Sequence, residues 1–542
     1  MLLKKFKIIP LFLLLFAITQ GCKKMDLVPT DHFTELNFWE SDANVNNALN
    51  NVYNRMYTSG LFFDREALSD NAVNRAGVGA GAITSGNFTP TLSNFLGDWD
   101  YFYTGIKAAN IFLDNIDQNT TIQESMKGRM KAEVRFVRAF HYFQLMNWWG
   151  DVPLIKTDLT PDEAKTIART PRAEVLQFIL EELDYAASIL PTNTQYPIAD
   201  RGRITKGAAK ALKARVLLYE GDRMADVVAI CEDLMNNQGA NGSYSLVSSY
   251  SDVFSPTNEY NSEVILDIQY VPNLRTWGEY IDFAPISAGA RGTAMAPTQE
   301  LVNSYVMLNG KRIDDPTSGY SETNPYANRD PRLNATVVFH GSTWKNQNGS
   351  TQTIYIKPGS DPDPRNEAKN EYKASGQGTP TGYYWRKYFD PTYVGNFNSG
   401  LNLILIRYAD VLLMYAEAKH AMGQMTEDVW NKTIRPIRAR AGFTDPAALS
   451  FPGTTAMTEM IRNERRAEFA MEGLRIHDIR RWKIAEQVLN GWAHGAQYED
   501  PSIDRGYIRA QLRTFDPSRH YLWPIPSQER GKNPNLTQNP NY

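Results

Sequence analysis

Apolar residues recur at helical spacing through most of the first half of this chain. Ala48, Val52 and Met56 form one such row. Phe136, Phe140 and Phe143 form another, broadened by Val134, Val137 and Leu145. From Arg172 the row Val175, Leu176, Ile179, Leu183, Ala186 and Leu190 runs until Pro191 stops it. The Ala-rich stretch 205–219 repeats the pattern with Ala208, Ala211, Leu212, Val216 and Leu218, and Gly221-Asp222 breaks it before a further helix to about Asn237. A 3.6-residue period buries one stripe of each helix. Short turns between such helices predict stacked helical hairpins. No clean 34-residue self-similarity marks a repeat family.

Past Gly239 the pattern changes. Gly, Pro, Asn, Ser and aromatic residues dominate 239–399. Short apolar runs predict strands at 263–269 and 336–339, and a further strand near 353–356 within an exposed loop over 341–381. Helical spacing returns at 403–422, 426–441 and 457–471, with Gly473 as a stop. The end of the chain is turn-rich. The fold class expected is mostly α: helical hairpins followed by a loop-rich C-terminal half with a few short strands.

The N-terminus reads as an export signal. Lys4, Lys5 and Lys7 precede an 11-residue apolar run, Ile8 to Ile18, that contains Pro10. A membrane-spanning helix needs roughly 17–25 residues. Gly21-Cys22 then resembles the end of a bacterial lipobox, with Thr19 where that motif carries Leu. Cys22 is therefore expected to become the acylated first residue of the mature chain, with 1–21 as signal and 22–34 as tether. Removing three lysines and no acid takes the formal charge from -3 to -6. Such a chain has no electrostatic footprint for nucleic acid. With Cys22 lipidated, Cys231 has no disulfide partner. It shares a helical face with Val228 and Leu234 and reads as a buried structural thiol.

Signatures of chemistry are absent from the sequence. There is no GxSxG, HExxH, Walker loop, CxxC or GxGxxG opening a helix. Seven scattered histidines predict no metal cluster and no cofactor site. Asp361-Pro362-Asp363 lacks the Gly and Glu of a calcium loop. The charged run from Arg462 to Glu468 places Arg and Glu three and four residues apart, the spacing of an ion-pair network between helices. His477-Asp478 and Arg407 with Asp410 read as structural in the same way.

Five segments, in order, resemble the SusD/RagB family of nutrient-binding lipoproteins. They are AEVRFVRAFHYFQL with WGDVPLI, beginning at Ala132 and Trp149, and GRITKGAAKAL from Gly202. IRYADVLLMYAEA follows from Ile406. The fourth is IRNERRAE from Ile461, continuing through Glu472-Gly473 to Arg481-Trp482. The last is Pro524-Ile525-Pro526 with NLTQNP from Asn535. The resemblance implies a tetratricopeptide-like scaffold over 35–239 and a C-terminal region over 240–542. That region divides into an insert at 240–400, helices at 403–490 and a tail at 491–542. It also implies a non-enzymatic role: a lipid-anchored outer-membrane protein, facing the cell exterior, that captures oligosaccharides and caps a SusC-type TonB-dependent transporter. Capture of peptides on the same scaffold is the alternative. A surface glycoside hydrolase is a remote one, and a plain helical adaptor would not need so long an aromatic insert.

Sugar rings rest apolar C–H faces on aromatic rings, and their hydroxyls need polar partners. Trp277, Tyr280 and Trp344, which fall in irregular segments, are the expected stacking residues. Asn71, Asn74 and Arg75, in an early loop, are the expected hydrogen-bonding residues. Cys22→Ser should release the protein from membrane fractions, because lasting attachment takes more than one acyl chain. Equal membrane retention of that variant would refute the anchor.

Overall fold

The first half folds as α1 (Asp42–Asn54), α2 (Ser59–Ala67), α3 (Ser93–Asn115), α4 (Glu124–Trp149), α5 (Arg172–Ile189), α6 (Lys206–Glu220) and α7 (Met224–Asn236), of which all but α2 and α3 carry the helical rows described above. The computed structural model describes residues 38–74, 79–291, 295–363, 369–374, 378–392 and 397–542. Cys22, the tether and Arg75 lie outside the described residues. Helices start where sequence chemistry dictates. The Thr205 hydroxyl accepts the Ala208 amide at 3.1 Å to cap α6, and Gly221, at φ +85°, closes it. α3 packs on α4, α4 on α5, α5 on α6 and α6 on α7, so successive helices are neighbours in space. The α3–α4 approach depends on Gly105: a Cβ there would stand 2.2 Å from the His141 ring on α4. Cys231 is a buried thiol on α7.

The second half adds short antiparallel pairs. β1 (Ala72–Asn74) pairs with β3 (Met295–Pro297), and β2 (Val264–Ile268) pairs with β8 (Leu403–Arg407). β4 (Val337–Val338) pairs with β7 (Tyr384–Trp385), and β5 (Thr343–Lys345) with β6 (Thr351–Thr353). The helices here are α8 (Gln299–Ser304), α9 (Pro331–Thr336), α10 (Tyr408–Ala421), α11 (Glu427–Lys432), α12 (Ile434–Ala441), α13 (Met457–Phe469) and α14 (Arg475–Arg481). α10 packs on both α7 and α13, so the helical layer continues across the two halves. One hydrophobic core runs through both, from Trp39 to Leu536. The mostly α class, with few short strands, holds.

Three expectations change. The stretch 403–407 is a strand, and its helix begins only at Tyr408. Leu403-Ile404-Leu405-Ile406 is a short apolar run, which periodicity cannot assign; pairing with β2 decides it. The helix expected over 426–441 breaks at Thr433. Pro436 has no N–H for the carbonyl four residues back, so a continuous ladder is impossible there. The tail over 491–542 contains, ahead of its turn-rich end, a hairpin that the sequence reading does not expect, β9 (Gly491–Gln497) with β10 (Tyr507–Arg513). Its buried positions include Gln511 and Arg513, while Trp492 and Leu512 are exposed. That inverts the usual strand pattern and hides it from a hydropathy reading.

Charged residues hold the second half together from inside. Glu468 on α13 accepts from Arg407 at 2.6 Å, from Arg332 at 2.9 Å and from Arg440. Arg407 also reaches Glu263 and Glu472, each at 2.7 Å. Arg332 bonds Asp330 and Glu464 at 2.7 Å, and Arg438 bonds Glu464 at 2.8 Å. Lys387 bonds Glu472 at 2.6 Å. All these groups are buried. Five cations meet five carboxylates, so the cluster is neutral. A second neutral set joins α6, α10, α13 and α14: Arg215 to Asp410 at 2.6 Å, Arg465 to Asp410 at 3.0 Å and to Asp478 at 3.1 Å, and Arg481 to Asp478 at 2.8 Å and to Glu417 at 2.5 Å. The charged run of α13 and the His477-Asp478 pair are therefore structural. Burial alone would raise the Glu468 carboxyl; the guanidiniums of Arg440, Arg407 and Arg332 outweigh it and hold it well below the usual carboxylate range. Glu468→Gln leaves buried cations short of a counter-charge. Urea unfolding should show a loss of about 3–5 kcal/mol, and an unchanged midpoint would contradict this account.

Candidate functional site

The residues expected to touch ligand occupy other places. Trp277 and Tyr280 are 3% and 2% exposed, and Trp344 is 2% exposed. The Trp277 indole donates to the Leu401 carbonyl at 2.7 Å, and its ring lies 5.2 Å from Phe63. The Tyr280 hydroxyl donates to the Lys387 carbonyl. Trp344 packs on Phe389 with ring centroids 4.3 Å apart. In this structure all three are core rings, with no face open for a sugar. Their irregular segments fold back over the helices, which is why aromatic residues outside helices are buried here. Asn71 is fully buried, donating to Glu66 at 2.7 Å and accepting from Arg466 at 2.7 Å. Asn74 ends β1, half-buried, and Arg75 lies outside the described residues.

A different surface has the makings of a site. A cleft of about 590 Å³ opens between α1, the turn at 199–203 and the end of β2. Asn47, Asn50, Asn51 and Asn54 face it from α1. Their spacing of three and four residues sets them in one row, opposite the buried row of Val45, Leu49 and Val52. All four are exposed. Among the described residues, only Asn51 uses its side chain in the protein, accepting from Arg55 at 3.1 Å. Each free amide offers two donors and an acceptor.

The floor is held rigidly. The Tyr53 hydroxyl donates to Glu133 at 3.0 Å and accepts the Ile204 amide at 3.1 Å. Arg203 bridges Glu133 at 3.1 Å and Asp200 at 2.7 Å. These bonds fix the 199–203 turn against α1. Gly202, at φ +89°, lets the turn pass against Gln269; a Cβ there would stand 2.3 Å from that side chain. On the far wall Gln269 donates to Asp267 at 2.5 Å and accepts from the Tyr260 hydroxyl at 2.6 Å. Asn402 donates to the other Asp267 oxygen at 3.1 Å. Arg275 reaches the Gln269 carbonyl at 2.7 Å, and Arg201 stands exposed at the rim. Tyr260 is 43% exposed and lines an adjoining recess of about 230 Å³ that shares Arg201, Gly202 and Asp267.

Such walls can bind a polyhydroxylated molecule: amides and the Arg201 guanidinium for its hydroxyls and, in the adjoining recess, an exposed phenol ring for an apolar face. Among the described residues no three His, Cys, Asp or Glu side chains are placed to hold a metal. The sequence carried a signal for this site. Asn47, Asn50, Asn51 and Asn54 recur at helical spacing as clearly as the apolar row beside them, but asparagine is a poor helix former and usually marks turns. Tyr260 takes a positive φ of 55°, a conformation that no local pattern announces.

Burial pushes the Asp267 carboxyl up to about 7, against the opposing hydrogen bonds of Gln269 and Asn402. A raised folded pKa contributes stability that is complete below the ordinary carboxylate range and is lost as pH rises through about 7. Asp267→Asn removes that loss. Its thermal midpoint relative to the parent should therefore climb from about pH 4 to about pH 7 and level off above that. A flat difference across that window would mean that the carboxyl titrates in its ordinary range.

Comparison with known proteins adds the lineage. The sequence profile of the SusD family matches residues 258–542. A second profile, described as starch-binding and associating with outer membrane, matches residues 23–218. The SusD-like protein P25 of Formosa agariphila is 28% identical over 449 residues, covering 81% of this chain and 77% of that protein. The starch-binding protein SusD of Bacteroides thetaiotaomicron is 26% identical over 191 residues, 34% of this chain and 32% of that one. A crystal structure of a SusD-like carbohydrate-binding protein from Bacteroides fragilis superposes with a TM-score of 0.83 and 30% identity, over 92% of this chain and 100% of that one.

Proposed function

The chain belongs to the SusD family, and we propose from this premise that it captures an oligosaccharide at the cell surface and passes it to a TonB-dependent transporter of the SusC type. The observation that carries the ligand class is the row of exposed asparagines on α1 facing Gln269 across a cleft, with Tyr260 in the recess that adjoins it. Glycan hydroxyls both donate and accept, and an amide answers both needs. Two relatives support the same class: one is a starch-binding protein and another a carbohydrate-binding protein.

The protein acts as a binder and leaves the glycan intact. Attachment is through lipid on Cys22, in the outer membrane and facing the exterior. The family description of outer-membrane association supports that location. No helix among the described residues is long and apolar enough to cross a bilayer. Passage across the membrane is accordingly the partner's task.

Calorimetry against a panel of oligosaccharides and short peptides tests the reading. At least one oligosaccharide should bind. Asn50→Ala, Asn54→Ala and Tyr260→Ala should each weaken it by about tenfold, the worth of one good polar or stacking contact. Their thermal midpoints should stay near the parent's, because these side chains are exposed. Binding of peptides alone would replace the glycan reading. Glycan binding that none of the three substitutions weakens would move the site elsewhere.

A further inference from the structure

A small cavity of about 40 Å³ lies where the C-terminal segment meets the helical layer. Trp148, at the end of α4, lines it together with Arg480 on α14 and with Phe515, His520 and Trp523. It exceeds the roughly 10–15 Å³ that one water-sized guest requires. Three of these residues carry buried polar atoms without a hydrogen-bond partner: Arg480 Nε and Nη1, His520 Nε2 and Trp148 Nε1. Arg480 is 7% exposed, His520 6% and Trp148 1%.

Every one of those atoms is a donor. The indole and guanidinium nitrogens can be nothing else. His520 Nδ1 accepts the Asp516 amide at 2.9 Å, so the ring proton sits on Nε2. The other polar side chain deep in the wall, Thr84, already spends its hydroxyl on Gln511 and on helix carbonyls. Arg480 itself donates from Nη2 to the carbonyls of Asn147, at 3.1 Å, and Tyr521. Its charge meets no carboxylate. The charged groups acting on it are Arg172 and Arg65, both cations. Their own acids are Glu220 and Asp98. A buried guanidinium without a counter-charge is costly. A water here would accept some of these bonds but would leave the charge unbalanced.

We propose that this cavity is a binding site for a single small monovalent anion of chloride size, held by Arg480, His520 and Trp148. The guest accepts from all three donors and supplies the missing negative charge. The Phe515 and Trp523 rings make much of the wall apolar, and the small volume favours a compact guest. Because Trp148 belongs to the first half and the other residues to the last, the anion ties the C-terminal segment to the helical layer.

The mature full-length chain is crystallised with bromide in place of chloride, and its thermal midpoint is compared in sodium bromide, chloride and gluconate at equal ionic strength. An anomalous peak is expected in the cavity, within hydrogen-bonding distance of Arg480 and His520. The midpoint should stand about 2 °C higher in either halide than in gluconate. His520→Phe, which keeps the ring volume and removes a donor, should shrink that difference. Arg480→Met should abolish it, and if that variant does not fold, His520→Phe alone decides. A cavity with no anomalous signal overturns the proposal. So does a midpoint indifferent to the salt, which would make any bromide peak an adventitious ion only. A halide effect of equal size in His520→Phe and the parent also overturns it.

Discussion

Arg407, Arg332 and Arg440 converge on the one carboxylate of Glu468, and much of the second half of the molecule is arranged to permit it. The three arginines come from β8, α9 and α12, and Glu468 from α13. Only α12 and α13 follow one another in sequence. Taking so many charges out of water is tolerable only if each finds its partner at hydrogen-bonding distance. A shifted register in β8, or a turn's rotation of α13, would leave several unpaired at once. The net gain from such a network over an apolar core is small, but the penalty for misassembly is large. The loop-rich insert, which has little regular structure to specify its path, is held in place by this requirement. Lys387 and Glu263 extend the same constraint to the loop after β7 and to the residue just before β2.

The cleft depends on that framework at one remove. β2 is pinned by its pairing with β8, whose last residue is Arg407. Asp267 and Gln269 therefore stand at a fixed height opposite α1. On the near side Glu133, Arg203 and Tyr53 lock the turn at 199–203 against the first helix. The result is a rigid floor with free amides above it. A binder of flexible, hydrated chains gains from such preorganisation, because the ordering cost falls on the ligand alone.

Aromatic residues show how folding reassigns roles. Trp277, Tyr280 and Trp344 fall in segments that the sequence reads as irregular, although Trp344 belongs to β5, and a surface position was the natural expectation for them. A long insert that packs over a helical layer must nevertheless bury its own apolar side chains, and these large rings do that work. Tyr260, by contrast, is exposed only because a left-handed turn swings it outward. Nothing in its neighbours' side chains foretells that turn.

Helical periodicity, capping threonines and closing glycines determined the helices of the first half, since those signals act within a few residues of one another. Charge spacing along α13 likewise identified a structural network, because Arg and Glu three and four residues apart share a helix face. The expectation of an export signal and of lipid on Cys22 rests on linear order alone. Tertiary structure alone decided the rest. Whether Leu403–Arg407 is strand or helix rests on β2, more than a hundred residues away. The hairpin of β9 and β10 turns polar side chains inward because Arg513 finds backbone carbonyls of Ser69 and Ala72 there. Which polar rows face a cleft and which merely face solvent depends on the distance between elements, and a sequence carries no distances.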